Sequence, residues 1–222
     1  MRPALITFDA YAALADYRST LLPEVEDIPG LESACAAAFL ELWRTRQLGV
    51  AALSNALGRG RFTFRECTAL ALDYALNRHG LEVDTSIRQD LVQAWYPLVP
   101  WPEADAVLAE LKSKGYRLGI LSNGDLDMLE ALAALLDTPF DHLLSSELCG
   151  FYKPHPSVYE LPSRELGIND YLHVAGSAND VIGAKAAGVA CYWSNRDCDM
   201  VVLPDHAADY QGKNLSGLLE LL

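Results

Sequence analysis

The chain is expected to build a doubly wound α/β fold: a parallel sheet core that carries an inserted all-helical cap. Two observations lead there. From Trp101 onward, short apolar runs alternate with helix-like stretches, as strands and crossover helices do in a parallel sheet. Between Leu14 and Pro97, in contrast, β-branched runs are almost absent and the apolar spacing is helical.

Taken in order, Leu5 to Phe8 is a mostly apolar run ending in Asp9, the pattern of a buried parallel strand with a reactive side chain at its carboxyl end. Similar runs stand at Arg117 to Leu121 before Ser122, at Leu143 to Leu144, at Tyr171 to Val174 before Ala175, and at Val189 to Trp193. Trp101 to Gly115 and Asp127 to Leu136 read as helices between them. In the strand-poor stretch, Leu31 to Leu48, Ala51 to Leu57, Phe64 to Arg78 and Thr85 to Trp95 have helical spacing. Pro23 to Gly30 and Pro97 to Pro102 (PLVPWP) read as stiff connections flanking it. Residues 1–13 and 98–222 are thus assigned to the core and 14–97 to the cap. Because the cap leaves after the first strand, it is expected over the carboxyl edge of the strands, where open α/β sheets bind ligands.

The 222 residues, 51% hydrophobic and 21% charged, suit one core with a smaller second module. A formal charge of -13 repels phosphate backbones and anionic lipid, and no basic patch offsets it, so neither nucleic acid nor a membrane surface is expected as a partner. A small acidic substrate would have to be drawn in by a few cations near the site. The five cysteines show no CxxC spacing, which fits a reducing cytoplasm better than a disulfide framework or a zinc site. The amino terminus is too short in apolar residues for a signal peptide, and no stretch approaches a membrane span. The histidines are scattered without ligand spacing, and each is expected to be structural or exposed.

Four ordered segments concentrate the chemistry: FDAYAAL (Phe8 to Leu14), LSNGDLDML (Leu121 to Leu129), YKPHPSVY (Tyr152 to Tyr159) and VAGSANDVIGAKAAG (Val174 to Gly188). They resemble the four motifs of the haloacid dehalogenase superfamily, and the cap stretches WRTRQL (Trp43 to Leu48) and FRECTALAL (Phe64 to Leu72) are similar to those of the L-2-haloacid dehalogenases. The resemblance implies a Rossmann-like core, a hydrolase that uses no metal and no cofactor, and a small haloacid as substrate.

A carboxylate at a strand end can attack carbon or phosphorus and give an ester or acyl phosphate that water later cleaves, which makes Asp9 the candidate nucleophile. The plainer reading is a helix cap or a buried ion-pair partner. Tyr11 stands where phosphatase members of the superfamily need an acid to protonate an alcohol leaving group; a halide needs no proton, so Tyr11 favours displacement at carbon. Ser122 and Asn123 offer a hydroxyl and backbone amides for a substrate carboxylate, or simply an Asn-Gly turn. Lys153, stiffened by Pro154 and Pro156, is placed to neutralise Asp9 and keep it ionised. The resemblance further implies that Arg44 faces the departing halide from the cap and that Asp180 helps Lys153 position the hydrolytic water. By the same likeness Tyr159 hydrogen-bonds near the nucleophile, Leu48 and Phe64 form the apolar wall, and Ser177 contributes to substrate binding. Apolar cap helices are compatible with a homodimer.

Four positions depart from the family pattern: Ala12 and Ala13 replace a glycine and a threonine, Ala175 stands where many dehalogenases have a serine, and Ser177 where many have an asparagine. A lost hydrogen bond to an ionised carboxylate costs on the order of 1.5–3 kcal/mol. The implied activity is hydrolytic conversion of (S)-2-haloacids to (R)-2-hydroxyacids through an ester on Asp9. The alternatives are a hydrolase of another small acid or phosphate ester, and a carboxylate binder without turnover.

Overall fold

The computed structural model describes residues 2–58 and 60–222. Its centre is a six-stranded, all-parallel sheet of order β3-β2-β1-β4-β5-β6, with strands Leu5–Phe8, Leu118–Ser122, His142–Ser145, Tyr171–Ala175, Ala190–Ser194 and Tyr210–Gly212 numbered along the chain. The chain moves outward from β1 to β3, then crosses back to lay β4 beside β1. That reversal puts the end of β1 at the topological switch point, where an open α/β sheet leaves a crevice.

Strand alternation sorts the core into two layers. Ile6 and Phe8 of β1, Leu118 and Ile120 of β2, and Leu172 and Val174 of β4 face one apolar cluster. Leu5, Leu121, Tyr171 and Ala175 face the other. The first cluster is covered by α5 (Ala104–Ser113), α6 (Leu126–Ala133) and α10 (Gly217–Leu221); the second by α7 (Pro156–Tyr159), α8 (Leu161–Leu166) and α9 (Ala178–Ala186).

Four helices form the cap: α1 (Tyr17–Glu26), α2 (Ala36–Leu57), α3 (Phe64–His79) and α4 (Thr85–Gln93). Two expectations are corrected here. Pro23 lies within α1 rather than in a stiff connection. Asp16 caps that helix by accepting from the Ser19 amide, Tyr17, Leu21 and Val25 form its buried stripe, and Pro23 faces solvent. Moreover α2 is one continuous helix of 22 residues, not two, because Gly49 sits in open space without interrupting it. The short edge strand β6 was not expected. Helix α3 starts with a capping box: the Thr63 hydroxyl accepts from the Glu66 amide, and Glu66 accepts from the Thr63 amide.

The connections between cap and core run side by side. Asp16 N–H donates to Val99, Trp101 N–H to Leu14, and Trp101 Nε1 to the Ala12 carbonyl. A second tie is buried: Asp125, just before α6, pairs with Arg61 at 2.6 Å and accepts from the Phe64 and Arg65 amides that open α3. Among the described residues no helix is long and apolar enough to cross a membrane, and the five cysteines are free thiols.

Candidate active site

The turn after β1 sets the site. Asp9 N–H donates to Val174 of β4, and its carbonyl accepts from Leu14. Ala12 adopts a left-handed backbone (φ 71°). Gly176, after β4, passes so close to this turn that an added Cβ would stand 2.4 Å from the Ala13 nitrogen; only glycine permits that approach.

Three elements converge on Asp9. Ser122, at the end of β2, donates its hydroxyl to Asp9 Oδ1 at 3.1 Å, and Lys153 Nζ reaches the same oxygen at 3.1 Å. Among the described residues no hydrogen bond is donated to Oδ2. Lys153 also stands 3.0 Å from Asp180. Asp180, in the first turn of α9, accepts in addition from Tyr159 Oη at 2.8 Å and contacts His173 Nε2 at 2.9 Å. The two carboxyls respond differently. Burial pushes the Asp9 carboxyl up and the nearby Asp180 charge adds to this, with Lys153 opposing. At Asp180 burial is outweighed by His173, Lys153 and Tyr159, which hold it well below the usual carboxylate range. Lys153 is pushed down by burial, but Asp180 and Asp9 more than reverse this, so it stays cationic.

The cap contributes a cation of a different kind. Arg44 on α2 lies over three aromatic rings, with its guanidinium carbon 5.0 Å from the Tyr11 centroid, 5.3 Å from Tyr17 and 5.4 Å from Trp95. It donates to Gln47 Oε1, whose amide in turn donates to the Thr68 hydroxyl. No carboxylate pairs with it among the described residues. Tyr11 is buried between Phe64, Trp95 and this guanidinium, and burial drives its phenol far above the usual range, so it stays neutral.

Together these groups enclose a cavity of about 340 Å³. Of the residues singled out from the sequence, Asp9, Tyr11, Arg44, Leu48, Asn123, Lys153, Ser177 and Asp180 line it; Ser122, Phe64 and Tyr159 do not. Ser122 is fully buried and turned to Asp9, so it is not available to a ligand carboxylate. Phe64 packs behind Tyr11 and against Tyr152 instead of forming the wall. Tyr159 donates to Asp180, which Lys153 links to Asp9. Ser177 caps α9 through the Asp180 amide. Asn123 Oδ1 accepts from Lys153 N–H, which leaves its amide nitrogen as a donor. Gly124 leaves the room Tyr11 needs, since a Cβ there would lie 2.7 Å from the phenol oxygen.

Two buried polar residues were missed. Gln47 has no exposed surface and orients Arg44. His173, expected to be structural or exposed, is fully buried and touches both Asp180 and Lys153. A signal for it was present, namely a lone polar ring inside the apolar strand run YLHVA. A divalent cation would need more oxygen ligands than Asp9 and Asp180 supply, and the Lys153 ammonium already sits between them; these residues do not fit a magnesium site.

A buried strand-end carboxylate held by a lysine, beneath a helical cap, defines the class: the chain belongs to the haloacid dehalogenase-like hydrolases, whose family profile matches residues 5–188. Within that family it is similar to an (S)-2-haloacid dehalogenase of Pseudomonas sp. strain YL, 34% identical over 97% of this chain and 93% of that protein. Haloacetate dehalogenase H-2 of Moraxella sp. strain B is 35% identical over 86% of this chain and 85% of its own. The solved L-2-haloacid dehalogenase of Xanthobacter autotrophicus with chloropropionic acid covalently bound superimposes with a TM-score of 0.84 at 30% identity, covering 99% of this chain and 98% of that one.

Proposed function

We propose that the protein hydrolyses small (S)-2-haloacids to (R)-2-hydroxyacids. Asp9 Oδ2 attacks the α-carbon from the side opposite the halogen; the C–O bond forms as the carbon–halogen bond breaks, and the halide leaves with the bonding pair toward Arg44. Back-side attack inverts the carbon. Water then adds to Cγ of the Asp9 ester, the alkoxide departs with a water proton, and the remaining proton is lost from Asp9 to solvent. Lys153 keeps Asp9 ionised for the first step and, with Asp180, faces the water of the second. The Asn123 amide and Ser177 supply polar contacts for the substrate carboxylate, and Leu48 faces its alkyl group.

The observation that carries this reading is the position of Arg44, a half-buried guanidinium that among the described residues has no carboxylate partner, across one small cavity from the Asp9 oxygen to which those residues donate no hydrogen bond. Purified protein given L-2-chloropropionate should release chloride and D-lactate, and Asp9→Asn should lose at least about 10⁴-fold in rate. Chloride release no greater than that of Asp9→Asn sinks the proposal. An ester on Asp9 seen by intact mass would exclude a carboxylate binder without chemistry. Free thiols fit work in a reducing cytoplasm. The exposed Leu53 and Leu57 of α2 and Leu70 and Tyr74 of α3 favour a homodimer, which sedimentation would test.

A further inference from the structure

Thr7 and His173 face each other in register across β1 and β4, on the face of the sheet that also carries Asp9. Both are fully buried among apolar side chains. Buried polar groups in strand centres are costly unless bonded, and these are bonded: Thr7 Oγ1 lies 2.8 Å from His173 Nδ1, and His173 Nε2 lies 2.9 Å from Asp180 Oδ2. Nε2 faces two groups, the Asp180 carboxylate at 2.9 Å and the Lys153 ammonium at 3.2 Å; in the neutral ring that donates to the shorter contact, Nε2 carries the proton, the Lys153 approach is no hydrogen bond, and Nδ1 accepts from the Thr7 hydroxyl. The chain Thr7, His173, Asp180 thus runs in one direction and ends on the carboxylate that holds Lys153 at 3.0 Å.

This order matters most after the first half of the reaction. In the resting site Lys153 has two anionic partners, Asp9 and Asp180. Once Asp9 is esterified it is neutral, and Asp180 alone anchors the ammonium. A carboxylate held by Tyr159 on Oδ1 and by His173 on Oδ2 cannot rotate to follow the lysine or be drawn toward the ester. Two residues along the same strand, Ala175 offers no hydroxyl for this task.

We propose that His173 is a positioning residue for ester cleavage: through its hydrogen bond to Asp180 it keeps Lys153 at the esterified Asp9 while water attacks. The inference rests on the dehalogenation reading. In the step it serves, the water oxygen bonds Asp9 Cγ, the Cγ–O bond to the substrate breaks, the hydroxyacid leaves with one water proton, and the second proton goes to solvent.

Rapid-quench kinetics with L-2-chloropropionate, read as chloride and as Asp9 ester by intact mass, separate the two halves. His173→Phe is expected to release the first equivalent of chloride within about twofold of the wild-type rate, then to accumulate ester because hydrolysis falls about ten- to a hundredfold. His173→Gln, whose amide reaches the place of Nε2, should restore most of the hydrolysis; His173→Asn, whose amide reaches only the place of Nδ1, should not. If the Phe variant fails to fold, the Gln and Asn pair still decides. Unchanged hydrolysis in the Phe variant, equal slowing of both halves, or equal behaviour of Gln and Asn overturns the inference while leaving the dehalogenation reading intact. Failure of the wild type to release chloride overturns both.

Discussion

The two sides of the cleft hold their charges in opposite ways. On the core side Asp9, Lys153 and Asp180 form one buried network in which the lysine bridges both carboxylates and Ser122, Tyr159 and His173 donate the remaining hydrogen bonds. On the cap side Arg44 rests against the faces of Tyr11, Tyr17 and Trp95 and touches a neutral amide. A cation paired with a carboxylate has most of its field cancelled. One held by ring quadrupoles and an amide keeps its charge for an incoming anion. Fixed charges belong to the part of the site that must keep its geometry through two chemical steps, and the uncompensated one belongs where an anion arrives and departs.

The strongest way to break this contrast is to remove the shared cation. Lys153→Met leaves two buried carboxylates without their bridge, and breaking such a pair costs about 3–5 kcal/mol, so a loss of about 10³-fold in kcat/KM is expected. The pH profile should move as well. Asp9 reacts only when ionised, so activity is present above its pKa and lost as pH falls through it. Burial raises that pKa and Lys153 opposes the rise, so without the lysine the acid limb must shift to higher pH. A single-turnover pH–rate profile with an unmoved limb would show that Lys153 does not control Asp9.

Arg44→Lys tests the other side while keeping the charge. A lysine cannot lie flat against three rings as a guanidinium does, and kcat/KM should drop about ten- to a hundredfold. Because bromide leaves more readily than chloride, the drop should be steeper for 2-chloropropionate than for 2-bromopropionate. Equal losses on both substrates would mean that Arg44 binds the acid and does not assist the halide.

The core side was easier to read from sequence than the cap side, and the reason is local. Asp9, Lys153 and Asp180 stand in short motifs whose neighbours (a strand end, stiffening prolines, a helix start) fix where the side chain points. Their network partner His173 stands outside those motifs. Whether His173 meets Asp180 depends on how β4 is aligned with β1 and on the start of α9, and nothing in YLHVA encodes that distance. Gln47 could be placed beside Arg44 by helical spacing, but its burial depends on Thr68, which comes from another helix. Among the elements, α1 was hidden by Pro23, the unity of α2 by Gly49, and β6 by its three residues with mostly exposed side chains.

Gln47→Leu removes the acceptor that orients Arg44 and leaves the cation itself in place. A hydrogen bond to a charged group contributes about 1.5–3 kcal/mol, and part of it is regained by rearrangement against the rings, so a loss near tenfold in kcat/KM is expected, smaller than that of Arg44→Lys. Thr68 still bonds the Phe64 carbonyl, so thermal stability should change little. A Tm drop without a rate change would make Gln47 a packing residue only.

The smallest effect is expected where the two sides join. Ala12 sits between Asp9 and Tyr11 on one hand and the cap connection on the other, bonded through its carbonyl to Trp101 Nε1 at 3.0 Å. Its φ of 71° is one that an alanine adopts at a cost of roughly 1–2 kcal/mol. Ala12→Gly relieves that strain, offset in part by about 0.4–1 kcal/mol from the freer unfolded chain. The variant should therefore melt up to about 4 °C higher, with dehalogenation changed less than about threefold. A lower Tm would show that the methyl group contributes packing worth more than the strain. A large fall in rate at a raised Tm would show instead that the strained turn itself holds Asp9 at the angle its attack requires.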